Sequence, residues 1–405
     1  MMWPCPELDE VVHIRTGTIN PLKYPEMEFE LFSIPGFDIG SPEIKVGSEI
    51  LSNKNVVKPD DVLFSKLNPR IPRIWIVPKS KHRRQISSTE FWPLVCDQRL
   101  LSNHYLRYFL LKLAKEGVFS DSIEAATRSR SRIKPFHLLH QHIPLPPLSE
   151  QRRIVEILDQ ADALRKKRAE ADAKAARILP ALFYKMFGDP ATNKDQTFQS
   201  LVDCAEILMG QSPPGETYNR EGDGLPFFQG KLEFGSVHPI VRQWCSSPTR
   251  IAEPGDVLLC VRAPVGPTNI ADTKCAIGRG LAIIRPIPSK STTEFLFYSM
   301  RVIEKDLAKI AQGSTFTAIR RQDVEKIRVP KAGMKEQAAF SAKAKIIQVL
   351  IDKGTTSINN IERLFIVLLH RAFTGDLTAK WREAHMKELL QEMEQQAKEL
   401  EIKEP

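Results

Sequence analysis

The sequence predicts a mixed α/β chain with two globular α/β domains separated by two long helices that form an antiparallel coiled coil. Three observations predict it. One phrase is written twice, as PLPPLSEQRRI (144–154) and VPKAGMKEQAAF (329–340), with the Glu-Gln pair in register. Each copy opens a stretch of about forty residues with helical hydrophobic spacing. Each stretch follows a region of short apolar runs punctuated by Pro and Gly.

The repeat sets the organisation. A fixed offset of 186 positions pairs Ile133 with Ile319, Leu138 with Val324, Ile143 with Val329, Glu150 with Glu336, Gln151 with Gln337, Leu182 with Leu368 and Phe187 with Phe373. Upstream the match loosens but keeps its order: LDEVVHIRTG answers VDCAEILMG, KPDDVLFSKLNP answers EPGDVLLCVRAP, and HYLRYFLLKL answers EFLFYSMRVI. The period exceeds that of solenoids, so it marks a duplicated domain, giving a pseudo-two-fold internal repeat. The expected division is a first globular domain over 1–147, a spacer helix over 148–188, a second globular domain over 189–333, a second helix over 334–376 and a charged helix or solvated tail over 377–405.

Within the globular parts, DVLFSKL, RIWIV, DVLLCVRA and GLAIIRP read as strands, and HYLRYFLLKLAKEG and TEFLFYSMRVIEKDLAKIA as helices. The Pro- and Gly-rich run 211–224 reads as a loop. In the first long helix, with Ser149 as N-cap, Ile154, Ile157, Ala161, Leu164, Ile178 and Leu182 fall on a three-four spacing, with a kink expected at Pro180. Phe340, Ile347, Leu350, Ile361, Leu364 and Leu368 take the matching places in the second. A narrow apolar stripe needs a partner, and the two helices are expected to pair with each other rather than pack each on its own domain.

A length of 405 residues, 42% hydrophobic and 26% charged, fits two globular cores. No apolar run approaches a membrane span and the N-terminus lacks a leader pattern, so a cytoplasmic chain is expected. Six cysteines without a CxxC pair read as reduced thiols. His137, His140 and His142 cluster in HLLHQH, but no Cys or further clustered His completes a four-ligand set, and no metal is expected there.

Catalytic equipment is missing. There is no [DNS]PP[YFW] tetrapeptide, no glycine-rich nucleoside fingerprint, no GxxxxGK[ST] loop, no HExxH and no GxSxG. The acids of KPDDV and GDVLLC stand at strand starts without the further acid and lysine of a metal-dependent nuclease. No cofactor is therefore expected in this chain.

The net charge of +9 favours a polyanionic partner, and two similar modules suit two similar objects such as the half-sites of double-stranded DNA. Arg128, Arg130 and Arg132 alternate, so an extended backbone would project them to one side. Their counterpart in the second copy carries Thr315, Thr317, Arg320 and Arg321. Lys66, Asn68, Arg70 and Arg73 follow one matched strand and Arg262 the other, while FFQGKLEFG adds Gln229 and Lys231. These are the candidate DNA-binding residues; the competing reading is an ordinary solvated face. KSKHRR (79–84) suits phosphates or solvent, since charge alone does not discriminate bases.

The order and double occurrence of these motifs resemble the specificity subunit of type I restriction-modification systems. IPLPPLSEQRRIVEILDQADAL ending in LFYKMFGD looks like its first conserved region, and IRVPKAGMKEQ ending in LLHRAFTGD like its second. GQSPPGETYN and GSTFTAIRRQD look like parts of a target recognition domain. Lys331-Ala332-Gly333 departs from the proline-rich run usual there, and Lys343 interrupts the stripe. The resemblance implies a non-catalytic DNA-reading subunit, each recognition domain reading one half of a bipartite site and the helices setting the gap. It also implies two methyltransferase subunits docked on the helices and carrying S-adenosylmethionine, and restriction subunits using ATP and Mg. The alternatives are an assembly scaffold without base readout and a single-chain methyltransferase or nuclease fusion, for which no catalytic block remains.

Overall fold

A computed structural model describes residues 3–80, 82–119, 132–188, 198–312 and 318–401. The chain divides into two units. The first comprises 1–168 together with 358–405, and the second 169–357.

The first unit carries a four-stranded antiparallel sheet in the order Val12–Ile14, Phe91–Cys96, Val62–Ser65, Ile74–Ile76. Beside it lies a five-stranded sheet in which Glu28–Phe32 pairs in parallel with Arg84–Ser87. The second unit repeats both. Its four-stranded sheet runs Ala205–Met209, Leu281–Pro286, Val257–Cys260, Thr268–Ile270, and its five-stranded sheet holds the parallel pair Leu225–Phe228 and Cys275–Ile277. The central strands VLFS and VLLC are buried at every position. Burial on both faces is why they read as unbroken apolar runs and not as alternating ones. The helices Asn103–Lys115 and Thr293–Val302 follow the last strand of each sheet and bury one face on it.

Each central strand starts from the same turn. In Lys58-Pro59-Asp60-Asp61 the last carboxylate accepts from the Lys58 amide at 2.8 Å, and in Glu253-Pro254-Gly255-Asp256 Asp256 accepts from the Glu253 amide at 2.8 Å. The third position is left-handed in both, Asp60 at φ 72° and Gly255 at φ 92°, a conformation that Gly adopts freely and Asp tolerates. The buried carboxylates are then neutralised by bidentate arginines. Arg15 reaches Asp61 at 2.7 Å through two nitrogens, and Arg285 reaches Asp256 at 2.9 and 2.7 Å. Asp61 and Asp256 thus spend both carboxylate oxygens on an arginine and the turn amide.

The repeated Glu-Gln phrase has a structural cause. Gln151 and Gln337 are both fully buried. Gln151 accepts from the Ser102 amide at 2.9 Å and donates to the carbonyls of Leu100 and Pro146 at 2.7 and 2.8 Å. Gln337 accepts from Thr292 at 3.0 Å and donates to Lys290 and Ala332 at 3.0 and 2.9 Å. Ser102 and Thr292 are the N-caps of the two sheet-packed helices. One amide side chain thus satisfies backbone groups that burial would otherwise leave unpaired, and fixes the long helix to its globular part.

The first long helix spans Leu148–Ala175 and resumes as Ile178–Phe187, while the second runs unbroken over Met334–Thr374. The break precedes Pro180, whose ring excludes the carbonyl four residues earlier, that of Ala176. Ser149 lies inside the helix as its second residue and not at the N-cap, and its amide donates to Glu392 at 3.2 Å.

Within the first unit the segments 148–168 and 358–374 run antiparallel. Arg165 pairs with Glu362 at 3.1 Å near one end, and past the other end Glu150 accepts from Thr378 at 2.6 Å and Arg382 at 2.9 Å. Ile154 and Leu158 share a core with Phe365, Leu369, Ala372 and Phe373, and with Tyr105, Tyr108 and Phe109 of the sheet-packed helix. In the second unit Leu179, Phe183 and Phe187 share a core with Phe340, Ala344 and Phe295. The stripes therefore pack on helix and globular part together.

The buried seam differs from the stripe read in sequence. Ile154 and Phe340 are buried, and Ile157, Ala161, Leu182, Ile347, Ile361 and Leu368 are half-buried. Leu164, Ile178, Leu350 and Leu364 are 57%, 48%, 63% and 56% exposed. The burial follows Gln151, Ile154, Leu158 and Asp162, a spacing nearer 3.6 than 3.5, so a heptad count drifts off the true seam. Counting apolar residues alone also omits Gln151 and Asp162, which are buried because they are hydrogen-bonded or ion-paired.

Of helix or tail the C-terminal segment is helix, and it is docked, not solvated. It forms helices Ala379–Ala384 and Met386–Glu401, with Leu389 and Gln396 buried and the Gln396 amide donating to the Leu145 carbonyl at 3.2 Å. All six cysteines are free, Cys5 exposed and the others buried. Among the described residues no helix is long and apolar enough to cross a membrane.

Candidate nucleic-acid interface

In each unit the chain leaving the central strand is joined by a second segment from far along the sequence. In the first unit the Lys66 amide donates to the Glu90 carbonyl at 2.9 Å, and the Ile133 amide donates to the Lys66 carbonyl at 3.1 Å. Leu67 and Arg132 then form a bridge. In the second unit the Val261 amide donates to the Gly280 carbonyl and the Ile319 amide to the Val261 carbonyl, each at 2.9 Å, and Arg262 bridges Ala318. Two groups of candidate residues that are more than fifty positions apart in sequence thus meet at one strand end in both copies.

In the second unit a glycine turn brings in a third group. A Cβ on Gly280 would stand 2.0 Å from the Gln229 carbonyl oxygen, so only glycine admits this approach. Gln229 and Arg262 therefore converge on the turn Gly278-Arg279-Gly280, and the Arg279 amide donates to Ser212 Oγ at 3.3 Å. Lys231 opens the short 3-10 turn that follows Gln229. Arg320 precedes the helix Arg321–Glu325, in which Arg321 pairs with Glu325 at 2.7 Å. Gln229, Lys231, Arg262, Arg279 and Arg320 are exposed. Arg279 was not among the sequence candidates; its signal is a basic residue between two glycines directly after a strand.

The first unit fills the corresponding place differently. Glu90 stands where the second has Gly280, and it accepts from Arg132 Nη2 at 2.7 Å and Nε at 3.1 Å. That hydrogen bond holds the Glu90 carboxyl below its usual range. Arg73 is held by Asp38 at 2.9 and 3.2 Å, and the same contact lowers the Asp38 carboxyl. Lys66 is half-buried, Arg70 is exposed, and Asn68 takes a left-handed conformation at φ 50°. Arg128, Arg130, Thr315 and Thr317 lie outside the described residues. Of the basic run 79–84, Arg83 pairs with Glu28 at 2.8 Å and Arg84 lies over the Tyr24 ring.

Chemically, both ends offer guanidinium forks and amides, groups suited to phosphates and guanine edges. The first adds a carboxylate, which accepts from cytosine amines.

Comparison with known proteins agrees with this duplication. The family described as type I restriction modification DNA specificity domain matches residues 3–172 and again 194–363. The chain is 30% identical, over 93% of its length and 94% of the relative's, to a putative type I restriction enzyme MjaX specificity subunit from Methanocaldococcus jannaschii. A solved chain from work on complex assembly and conformational transition of the type I R-M system superposes with a TM-score of 0.59 at 31% identity, covering 93% of this chain and 98% of that one. The S subunit of such a system from M. genitalium shares the fold at a TM-score of 0.56 and 13% identity, with 92% and 96% covered. With one recognition framework built twice, its long helices riveted to it by the same buried glutamine, this chain belongs to the specificity subunits of type I restriction-modification systems.

Proposed function

We propose that each unit reads one half of a bipartite site in double-stranded DNA with the strand-end surface described above. Lys66, Asn68, Arg70, Arg73 and Arg132 act in the first unit, with Arg128 and Arg130 added from the sequence. Gln229, Lys231, Arg262, Arg279, Arg320 and Arg321 act in the second, with Thr315 and Thr317. One observation carries this reading: the backbone pairings at the strand end are the same in both copies, while the exposed side chains mounted on them differ. A shared scaffold with unlike rims suits two unlike sequences.

On this reading the chain itself performs no catalysis. The commitment of Asp61 and Asp256, the buried acids at the two strand starts, to arginines supports it. Two methyltransferase subunits carry S-adenosylmethionine and dock on the long helices, where Leu164, Leu350 and Leu364 stay exposed. Restriction subunits supply ATP- and Mg-dependent steps, the assembly acts in the cytoplasm, and helix length sets the gap between half-sites.

Sequencing methylated adenines in cells carrying this chain with its methyltransferase subunit tests the reading. A bipartite motif with a fixed gap is expected, and exchange of residues 225–321 for those of a relative should change one half only. A continuous motif, or a change in both halves, would refute it. Binding should also weaken steeply with salt as phosphates are neutralised.

A further inference from the structure

We propose that Glu7, Asp9, His140 and His142 form a surface site for a divalent transition-metal ion of the zinc class, pinning the start of the first unit to the segment that leads into its long helix. The histidines alone lack a full ligand set in sequence, and the fold supplies the missing carboxylates. Glu7 and His142 form an antiparallel bridge, with the Leu8 amide donating to the Gln141 carbonyl at 2.9 Å and the Ile143 amide to Pro6 at 2.9 Å. This pairing brings together ligands more than 130 positions apart in sequence.

His140 Nδ1 stands 2.5 Å from Glu7 Oε2 and 3.7 Å from Asp9 Oδ2, and His142 Nε2 stands 4.0 Å from the other Glu7 oxygen. Ligand atoms of Glu7, Asp9 and His140 all lie within 4.8 Å of one another. Zinc bonds of about 2.0–2.1 Å place tetrahedral ligands about 3.3 Å apart, so Glu7, Asp9 and His140 form the nucleus of the site and His142, 4.0 Å from Glu7, is its fourth ligand after a larger rotation. The His140 ring is braced edge-on by Phe136 at 4.1 Å. Imidazole mixed with carboxylate selects zinc, nickel or cobalt over magnesium or calcium.

The second unit provides an internal control. Its equivalent bridge pairs Ser200 with Arg328, and Lys326 takes the place of His140. The same backbone junction forms there without a carboxylate or a histidine at these positions, so the fold does not require them.

The full chain, stripped with a chelator, is titrated with zinc alone by calorimetry, and hydrogen exchange is followed at Leu8 and Ile143. One zinc ion per chain is expected, with slower exchange at both amides. His140→Ala and Glu7→Gln should abolish both effects, and His104→Ala, an exposed histidine elsewhere, should preserve them. Absence of binding, or binding equally strong in His140→Ala, would mean that the cluster is an ion pair only and would overturn the proposal. If His140→Ala fails to fold, Asp9→Asn, a change at an exposed side chain, decides: unaltered zinc affinity there overturns the proposal equally.

Discussion

The two recognition units agree in what they bury and differ in what they expose. Asp61 with Arg15 and Asp256 with Arg285 hold the same turn, although Arg15 lies just past the strand Val12–Ile14 and Arg285 on the strand Leu281–Pro286. Gln151 and Gln337 make the same three hydrogen bonds. At the strand end, by contrast, the places of the Glu90–Arg132 pair in one unit are taken by Gly280 and Ala318 in the other. Buried polar groups are constrained by partners that leave no alternative, whereas exposed ones are free to diverge with the ligand.

The largest test of that contrast is at the glutamines. Gln151→Ala and Gln337→Ala each remove three hydrogen bonds from one buried amide and two carbonyls, and each should cost about 3 kcal/mol. Hydrogen exchange at Ser102 and Thr292 should accelerate only in the unit mutated. Unequal losses would show that the two frameworks are not energetically equivalent.

The strand-start pairs come next. Asp61→Asn and Asp256→Asn remove the charge facing a partly exposed arginine, so each should cost about 2–3 kcal/mol, below the cost at a fully buried pair. Urea denaturation checks this, with Trp244 fluorescence reporting on the second unit because the other four tryptophans lie in the first.

At the rims, equivalence should fail. Arg279→Ala and Arg262→Ala should each weaken binding at the second half-site by about 1–3 kcal/mol and leave the first half unchanged. Glu90→Gln should instead broaden the first half-site, because it removes an acceptor and frees Arg132 for phosphate. The lowered Glu90 carboxyl fixes the sign of the pH effect. Its pairing contributes fully above the normal carboxylate range and is lost only as pH falls through the depressed value. Recognition of the first half-site should therefore be flat with pH across neutrality, measured by anisotropy with a labelled duplex.

Much of this architecture was legible in the sequence. Strands buried on both faces appear as VLFS and VLLC, and the Glu-Gln phrase marks where each long helix is anchored. Pairing across long separations was not legible. Nothing in the order of residues places Arg132 on Leu67, Arg279 beside Gln229, or Glu7 against His142, because β-bridges are set by register in three dimensions. The docked C-terminal helix was equally hidden, since Leu389 and Gln396 are too few to stand out in a Glu-rich run. The exposed Leu164 and Leu364 look like core residues by type, and only the helical phase separates them from Leu158 and Phe365.

The smallest effect concerns the thiols, where the contrast between core and surface can be read without DNA. Burial pushes Cys96, Cys260 and Cys275 up to about 12 and Cys204 up to about 11. The thiolate is the nucleophile, so these four stay protonated and shielded at neutral pH. Cys5 is also raised by partial desolvation, but it is exposed. Limited alkylation of the folded chain should therefore label Cys5 first. Raising the pH should speed that reaction well before the buried thiols respond. Early labelling of Cys260 or Cys275 would mean that the second unit opens more readily than its central strand implies. The shared framework would then differ between the copies in stability as well as in its rim.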